Sequence, residues 1–146
     1  MNRNVKVGVA LFLRRDGKIL LTKRSSSHGK GTWAPPGGHL DFGESPEECA
    51  IREAKEEVGV CATDLTYLGL TNDVFQHSDK HYITLWFSSD SFRGNPYPLA
   101  PNEVEEAQWF APKELPSPLF LPLQNLLAGK GYTGSGSPII TSLRGQ

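Results

Sequence analysis

The chain has 146 residues, which is enough for one domain with a real core. Hydrophobic residues make up 38% and charged residues 21%, a balance that excludes intrinsic disorder. A net charge of −1 and a pI near 6.4 argue against a nucleic-acid polymer or an anionic membrane as the main partner. Residues 5–13 are β-rich. They contain Lys6, run into Arg14 and Arg15 and lack a small-residue cleavage site, so they read as a strand and not as a signal peptide. No stretch approaches the roughly 18 apolar residues of a membrane span, and a cytoplasmic location is the expectation. Residues 18–23 form a second strand, joined to the first by Asp16-Gly17, a strong hairpin signal. Residues 25–32 are a polar loop, and residues 33–38 (Trp-Ala-Pro-Pro-Gly-Gly) lead stiffly into a turn.

A helix follows. Ser45 suits the N-cap, Pro46 the first helical position and Glu48 the far side of a capping box, while Gly59 stands where a C-terminal cap belongs. Ala50, Ile51, Ala54 and Val58 recur at three- and four-residue steps and form one buried stripe. Beyond it, residues 65–71, 81–87 and 105–110 read as strands and residues 119–128 as a short helix. Strands, one long central helix and a closing helix predict an α/β sandwich with a mixed sheet between helices. Residues 1–128 are expected to be a single domain, and residues 129–146, rich in Gly and Ser, a tail. Cys49 and Cys61 have neither zinc spacing nor a disulfide framework and read as small packing residues.

The central helix carries Glu53, Glu56 and Glu57 within one turn. Like charges at i,i+4 destabilise a helix by a few tenths of a kcal/mol, and Arg52 and Lys55 offset only part of that. On an ordinary helix such a run is a solvated face laced with ion pairs. Here it follows closely on Pro35-Pro36-Gly37-Gly38, where backbone can approach a ligand. Oxygen-only donors suit hard cations, Mg²⁺ first and Mn²⁺ second, and Mg²⁺ usually arrives with substrate phosphates. The cluster therefore predicts a small phosphate-bearing substrate.

The same residues carry a motif: Gly38, five residues, Glu44, seven residues, then Arg52-Glu53-Ala54-Lys55-Glu56-Glu57-Val58-Gly59-Val60. Its fixed letters coincide by chance in roughly one window in 10⁸. This stretch, 23 of 146 residues, resembles the Nudix box, and the context extends the likeness: residues 20–24 and Trp33 before it, residues 81–87, Trp109-Phe110 and Glu114-Leu115 after it. The layout is most similar to MutT-type nucleoside triphosphate pyrophosphohydrolases.

The resemblance implies hydrolysis of a nucleoside diphosphate linked to another group, foremost (d)NTP to (d)NMP and pyrophosphate, an activity suited to nucleotide-pool sanitation. It implies Glu53, Glu56 and Glu57 around the metal with the Gly37 carbonyl, and Arg52 orienting a catalytic glutamate. It also implies Glu53 as acceptor of the proton of the attacking water. A further glutamate would reach in before the late Trp: Glu103 stands first, with Glu105 and Glu106 as rivals. Glu44 reads as loop scaffolding.

Lys23 and Arg24 are expected to hold phosphates, and Phe75, His77, His81 and Phe120 to line a base pocket. Trp33 is expected in the core, and His28 and His39 in loops without metal. A homodimer is compatible with the sequence. Two departures stand out: Pro35 occupies a slot that is usually large and apolar, and Ala54 fills the first apolar slot of the box. The alternatives are a family member acting on a nucleotide sugar or ADP-ribose, and a non-catalytic nucleotide-sensing module. The retained box carboxylates disfavour the latter. Markers of coenzyme A, ADP-ribose and dinucleoside polyphosphate enzymes are absent.

Overall fold

In the computed structural model, residues 3–133 are described. In chain order the elements are β1 (Lys6–Arg15), β2 (Lys18–Arg24), β3 (Trp33–Ala34), β4 (Gly37–His39), α1 (Pro46–Val58), β5 (Cys61–Thr63), β6 (Thr66–Phe75), β7 (Lys80–Ser89), β8 (Ser91–Arg93), β9 (Val104–Phe110), α2 (Leu121–Leu127) and β10 (Gly131–Tyr132).

β1 organises the sheet. It runs parallel to β7 from Lys6 opposite Tyr82 to Leu13 opposite Ser89, and it pairs antiparallel with β2 and β4. The sheet is therefore mixed, in the order β10-β6-β7-β1-β2-β3, with β9 also on β2. Period-2 alternation splits the core between the two faces. Val9, Leu11 and Leu13 join Ala50, Ala54 and Val58 of α1 on one side. Ala10 and Phe12 join Trp33, Trp86 and Leu123 and Leu126 of α2 on the other. Leu11 and Phe12 are both fully buried, as expected of a central strand covered on each face.

The α/β sandwich is the expected architecture, with four differences. Residues 33–38 fold into two short strands, β3 and β4, on either side of Pro35-Pro36, because neither proline can donate to a ladder. The third strand runs on to Phe75, and β5 pairs with β8 in a separate ribbon. Within the segment expected as a tail, Gly131 and Tyr132 pair with Thr71 and Leu70 of β6, so the sheet extends past residue 128. Residues 134–146 of that segment lie outside the described residues. Among the described residues, no helix is long and apolar enough to cross a membrane.

Candidate active site

The box helix starts as its sequence requires. Glu48 N donates to Ser45 Oγ (3.1 Å) and Ser45 N donates to Glu48 Oε1 (2.8 Å), which closes the capping box, and Gly59 ends the helix at φ 73°. The stripe of α1 that meets the sheet holds more than apolar residues. Glu53 is 9% exposed and Glu57 only 4%. Ionisable side chains are seldom buried this deeply without partners.

The Gly-Gly corner makes room for them. A Cβ on Gly38 would overlap the Glu53 carboxylate, and one on Gly37 would overlap the Val9 carbonyl. Glycine is thus a steric requirement at position 37, where the clash is with backbone, and at position 38 it leaves room for the end of the Glu53 side chain.

Arg52 holds the turn from outside. Its Nε and Nη2 grip both oxygens of Glu44 at 3.0 and 2.8 Å, and Nη2 donates to the His39 carbonyl at 3.3 Å. Its Nη1 reaches Glu56 at 3.1 Å and Glu53 at 3.4 Å. The fork uses the planar guanidinium fully, which a lysine could not do. Glu44 also accepts from the Asp41 backbone at 2.9 Å. Bonds from Arg52 and that amide bring its carboxyl down to about 2, and Glu44 in turn pushes the Arg52 guanidinium further above its usual range.

The two buried carboxyls go the other way. Burial, together with the charges of Glu56 and Glu103, lifts Glu53 to about 7 against the pull of Arg52. Burial and the neighbouring Glu53 push Glu57 well above the ordinary range, although a hydrogen bond from the Gly37 backbone opposes this. These shifts have a measurable consequence. In the unfolded chain both groups ionise near 4.5, but in the folded protein they hold their protons to higher pH. Folding therefore gains from them below pH 4.5 and loses that gain as pH rises through about 7. Metal-free protein is expected to melt roughly 5 °C or more lower at pH 8 than at pH 5.5 in scanning calorimetry with EDTA. Mg²⁺ should recover the difference at pH 8 and change little at pH 5.5.

A cavity of about 430 Å³ opens beside these groups. Its lining brings together Gly37, Gly38, Arg52, Glu53, Glu56 and Glu103 with a cluster of rings, His28, Phe75, Tyr82 and Phe120, that contact one another. Arg24 lines it too, with its guanidinium 4.1 Å above the Phe120 ring and its Nε donating to the His28 carbonyl at 2.9 Å. Glu57 is buried next to this lining and bonded by the Gly37 backbone.

Of the residues expected at the site, Gly37, Arg52, Glu53, Glu56, Glu103, Arg24, Phe75 and Phe120 meet in this one cavity. Lys23 and His81 do not, and strand alternation is the reason. Lys23 sits on the opposite face of β2 from Arg24 and lies 3.9 and 3.7 Å from Glu105 and Glu106. His81 sits on the opposite face of β7 from Tyr82 and bonds Asn72. Those ion pairs also separate Glu103 from its rivals. Its loop is pinned to the end of β2 by Ser25 N donating to the Glu103 carbonyl (2.9 Å) and Ser25 Oγ to the Pro101 carbonyl (2.7 Å). His77 is exposed outside the cavity, and Trp33 is core.

Tyr82, His28 and His39 were not expected to line it. Tyr82 follows from the same alternation, since Tyr82, Thr84 and Trp86 face the cavity together. His39 bonds the Tyr82 hydroxyl at 2.9 Å, and burial lowers its pKa. Cys49 is a buried packing residue, as expected, and burial pushes its thiol up to about 12.

Among the described residues, no three His, Cys, Asp or Glu side chains converge tightly enough to hold a metal ion by themselves. The donor set still suits a hard divalent cation. Glu53 and Glu57 are oxygen-only donors buried side by side against a glycine corner, and a divalent charge would favour the ionised form of both. Ligand phosphates would supply the remaining oxygens.

Comparison with known proteins agrees. Residues 2–128 match the NUDIX domain. The chain belongs to the Nudix hydrolase family, enzymes that act on phosphorus-containing anhydrides. The crystal structure of a MutT NUDIX hydrolase from Burkholderia pseudomallei is 33% identical, with a TM-score of 0.76, covering 80% of this chain and 90% of that one. An NAD-capped RNA hydrolase NudC from Pseudomonas aeruginosa is 37% identical over 118 residues, 81% of this chain and 39% of that protein. An ADP-ribose pyrophosphatase from Methanocaldococcus jannaschii is 34% identical over 114 residues, 78% of this chain and 66% of that protein. The chain thus spans about two fifths of the NudC relative and just under two thirds of the ADP-ribose enzyme.

Proposed function

We propose that this Nudix protein hydrolyses an internal phosphoanhydride of a nucleotide, with (d)NTP to (d)NMP and pyrophosphate as the leading reaction and Mg²⁺ as cofactor. The observation that carries the reading is one cavity lined both by glutamates, the buried Glu53 among them, and by a cluster of aromatic rings. A nucleotide carries the two matching chemistries, phosphates and a flat ring. Glu53, Glu57 and the Gly37 carbonyl would hold the metal with Glu56 alongside, and the metal would offset charge developing on the phosphates. Glu53 takes the proton of the attacking water. Arg52 fixes Glu53 and Glu56 in place, Arg24 faces the phosphates, and Glu103 reaches in from its loop.

The relatives favour a second reading. One is named for ADP-ribose and another for NAD-capped RNA, so a nucleotide derivative, free or at the end of an RNA, is the alternative substrate. The second name also runs against the expectation that no nucleic-acid polymer is bound.

A substrate panel with Mg²⁺ in ¹⁸O water, with products identified by mass, tests both. It should contain (d)NTPs, nucleotide sugars, ADP-ribose, NAD and an NAD-capped oligonucleotide. Labelled (d)NMP or pyrophosphate supports the first reading. Cleavage confined to the derivatives supports the second, and no cleavage at all defeats both.

On the substrate so found, Arg52→Lys is expected to lower kcat about 10- to 100-fold with KM nearly unchanged, as judged by steady-state kinetics. Lysine cannot grip Glu44 while it orients Glu53 and Glu56.

A further inference from the structure

The strand that carries the Gly-Gly corner has few side chains to hold it. β4 reads Gly37-Gly38-His39, and among the described residues it pairs with β1 alone. Two of its three residues have no side chain, and Pro35-Pro36 before it can donate no backbone hydrogen bond. Glycine also loses more freedom than any other residue on being fixed. Yet the corner has to stand still, because the Glu53 carboxylate fills the space over Gly38 and the Gly37 backbone bonds Glu57. His39 is the one side chain of β4 that can tie it down.

His39 is held from two directions. Its carbonyl accepts from Arg52 Nη2 at 3.3 Å and from Cys49 Sγ at 3.4 Å, both on α1. Its Nε2 shares a 2.9 Å hydrogen bond with the Tyr82 hydroxyl, and the two rings lie 5.4 Å apart. Tyr82 belongs to β7, with β1 between it and β4. Gly8 of β1 stands opposite His39 on one side and Thr84 on the other, and having no side chain it leaves the way open. A Cβ there would lie 3.8 Å from the Tyr82 ring. Tyr82 is itself buried and packed against His28 and Phe75, so its hydroxyl is a fixed point.

We infer that Tyr82 and His39 are a pair of positioning residues: the Tyr82 hydroxyl, through the His39 ring, fixes the Gly37-Gly38 corner against Glu53 and Glu57. The inference deepens the reading above and rests on it, since the corner is where that reading seats the metal. The chain of contacts is continuous, from β7 to the Tyr82 hydroxyl, to the His39 ring, and through the His39 backbone to Gly38 and Arg52. In this role neither side chain touches a reacting atom. A loosened corner would move the Gly37 carbonyl and the Glu53 carboxylate relative to each other, and misplacement by an ångström is costly in rate. The ring of Tyr82 contributes separately, through His28 and Phe75, and needs no hydroxyl for that.

The test is a double-mutant cycle. Tyr82→Phe removes one oxygen and keeps the ring; His39→Phe keeps a ring and removes the nitrogen. On the substrate found by the panel, each should lower kcat about tenfold with KM changed by less than about twofold. The double variant should be no slower than either single, because all three lack the same bond. His39→Gln, whose amide can reach the hydroxyl, should recover part of the rate. Electron paramagnetic resonance of Mn²⁺ at pH 8 with AMP gives a second readout that needs no turnover. Mn²⁺ affinity should fall about threefold or more in each single variant and no further in the double.

Three results would overturn the inference: kcat or Mn²⁺ affinity unchanged in Tyr82→Phe, losses that add in the double variant, or a raised KM with kcat kept, which would make Tyr82 a ligand contact only. Cleavage of the panel alongside an indifferent Tyr82→Phe would leave the function standing and remove only the link. Non-additive losses of Mn²⁺ affinity, in a protein that cleaves none of the panel, would do the reverse.

Discussion

Glu53→Gln is expected to lower kcat by at least about 10³-fold and to leave a folded protein. The amide keeps the shape of the side chain, so the glycine corner still receives it. What disappears is the charge that would bind the cation and the basicity that would take the proton. The same substitution should raise the melting temperature of the metal-free protein at pH 8, because a buried group lifted to about 7 no longer has to ionise there. At pH 5.5 the gain should shrink, since the wild-type carboxyl is then largely protonated. Glu57→Gln should behave alike in calorimetry, because its carboxyl is buried as well. A drop in activity together with a rise in stability is the signature of a functional buried charge. A surface ion-pair face would show neither.

Gly38→Ala is the second large effect. One methyl group would occupy the space of the Glu53 carboxylate, while the backbone at residue 38 is not left-handed and accepts alanine without strain. The whole cost is therefore steric. Overpacking of this kind costs about 1–3 kcal/mol, and displacing a catalytic group by an ångström can cost about 10²-fold in rate. Calorimetry and steady-state kinetics on Gly38→Ala should show both losses. Adding Glu53→Ala to Gly38→Ala should restore the stability and leave activity absent, because the clash needs both partners. If Gly38→Ala alone is as stable and active as the wild type, the glycine is not there to make room for Glu53.

Much of this was legible in the residues. The capping box, the C-terminal glycine and the three- and four-residue apolar steps placed α1 to within a residue, because those are local rules. The carboxylate turn followed from the helix. Its burial did not, since nothing in the helix itself says that the glycine corner of β4 will fold back onto Glu53. Lys23 and His81 show the same limit. Each is one residue from a side chain that does face the cavity, and a strand's inward face is set by its partners and not by its own sequence. Glu103, Glu105 and Glu106 could not be separated along the chain, and the pairing of β2 with β9 separates them by giving Lys23 to the latter two. Tyr82 and His28 were hidden for a different reason. The ring cluster is assembled from the 25–32 loop, β6, β7 and the start of α2, so no single stretch of sequence contains it. Asp73 was likewise unread: it is fully buried and receives bonds from Thr71, Thr84 and Asn125, which tie β6, β7 and α2 together behind the cavity.

The buried pair of α1 glutamates is the proposed seat of a divalent cation. Electron paramagnetic resonance of Mn²⁺, titrated with protein at pH 8 in the presence of a nucleotide, reads that directly from the signal of the free ion. The wild type should remove Mn²⁺ from solution, and the Glu53→Gln/Glu57→Gln double variant, folded by calorimetry, should leave it free. Equal uptake by the two proteins would contradict the account.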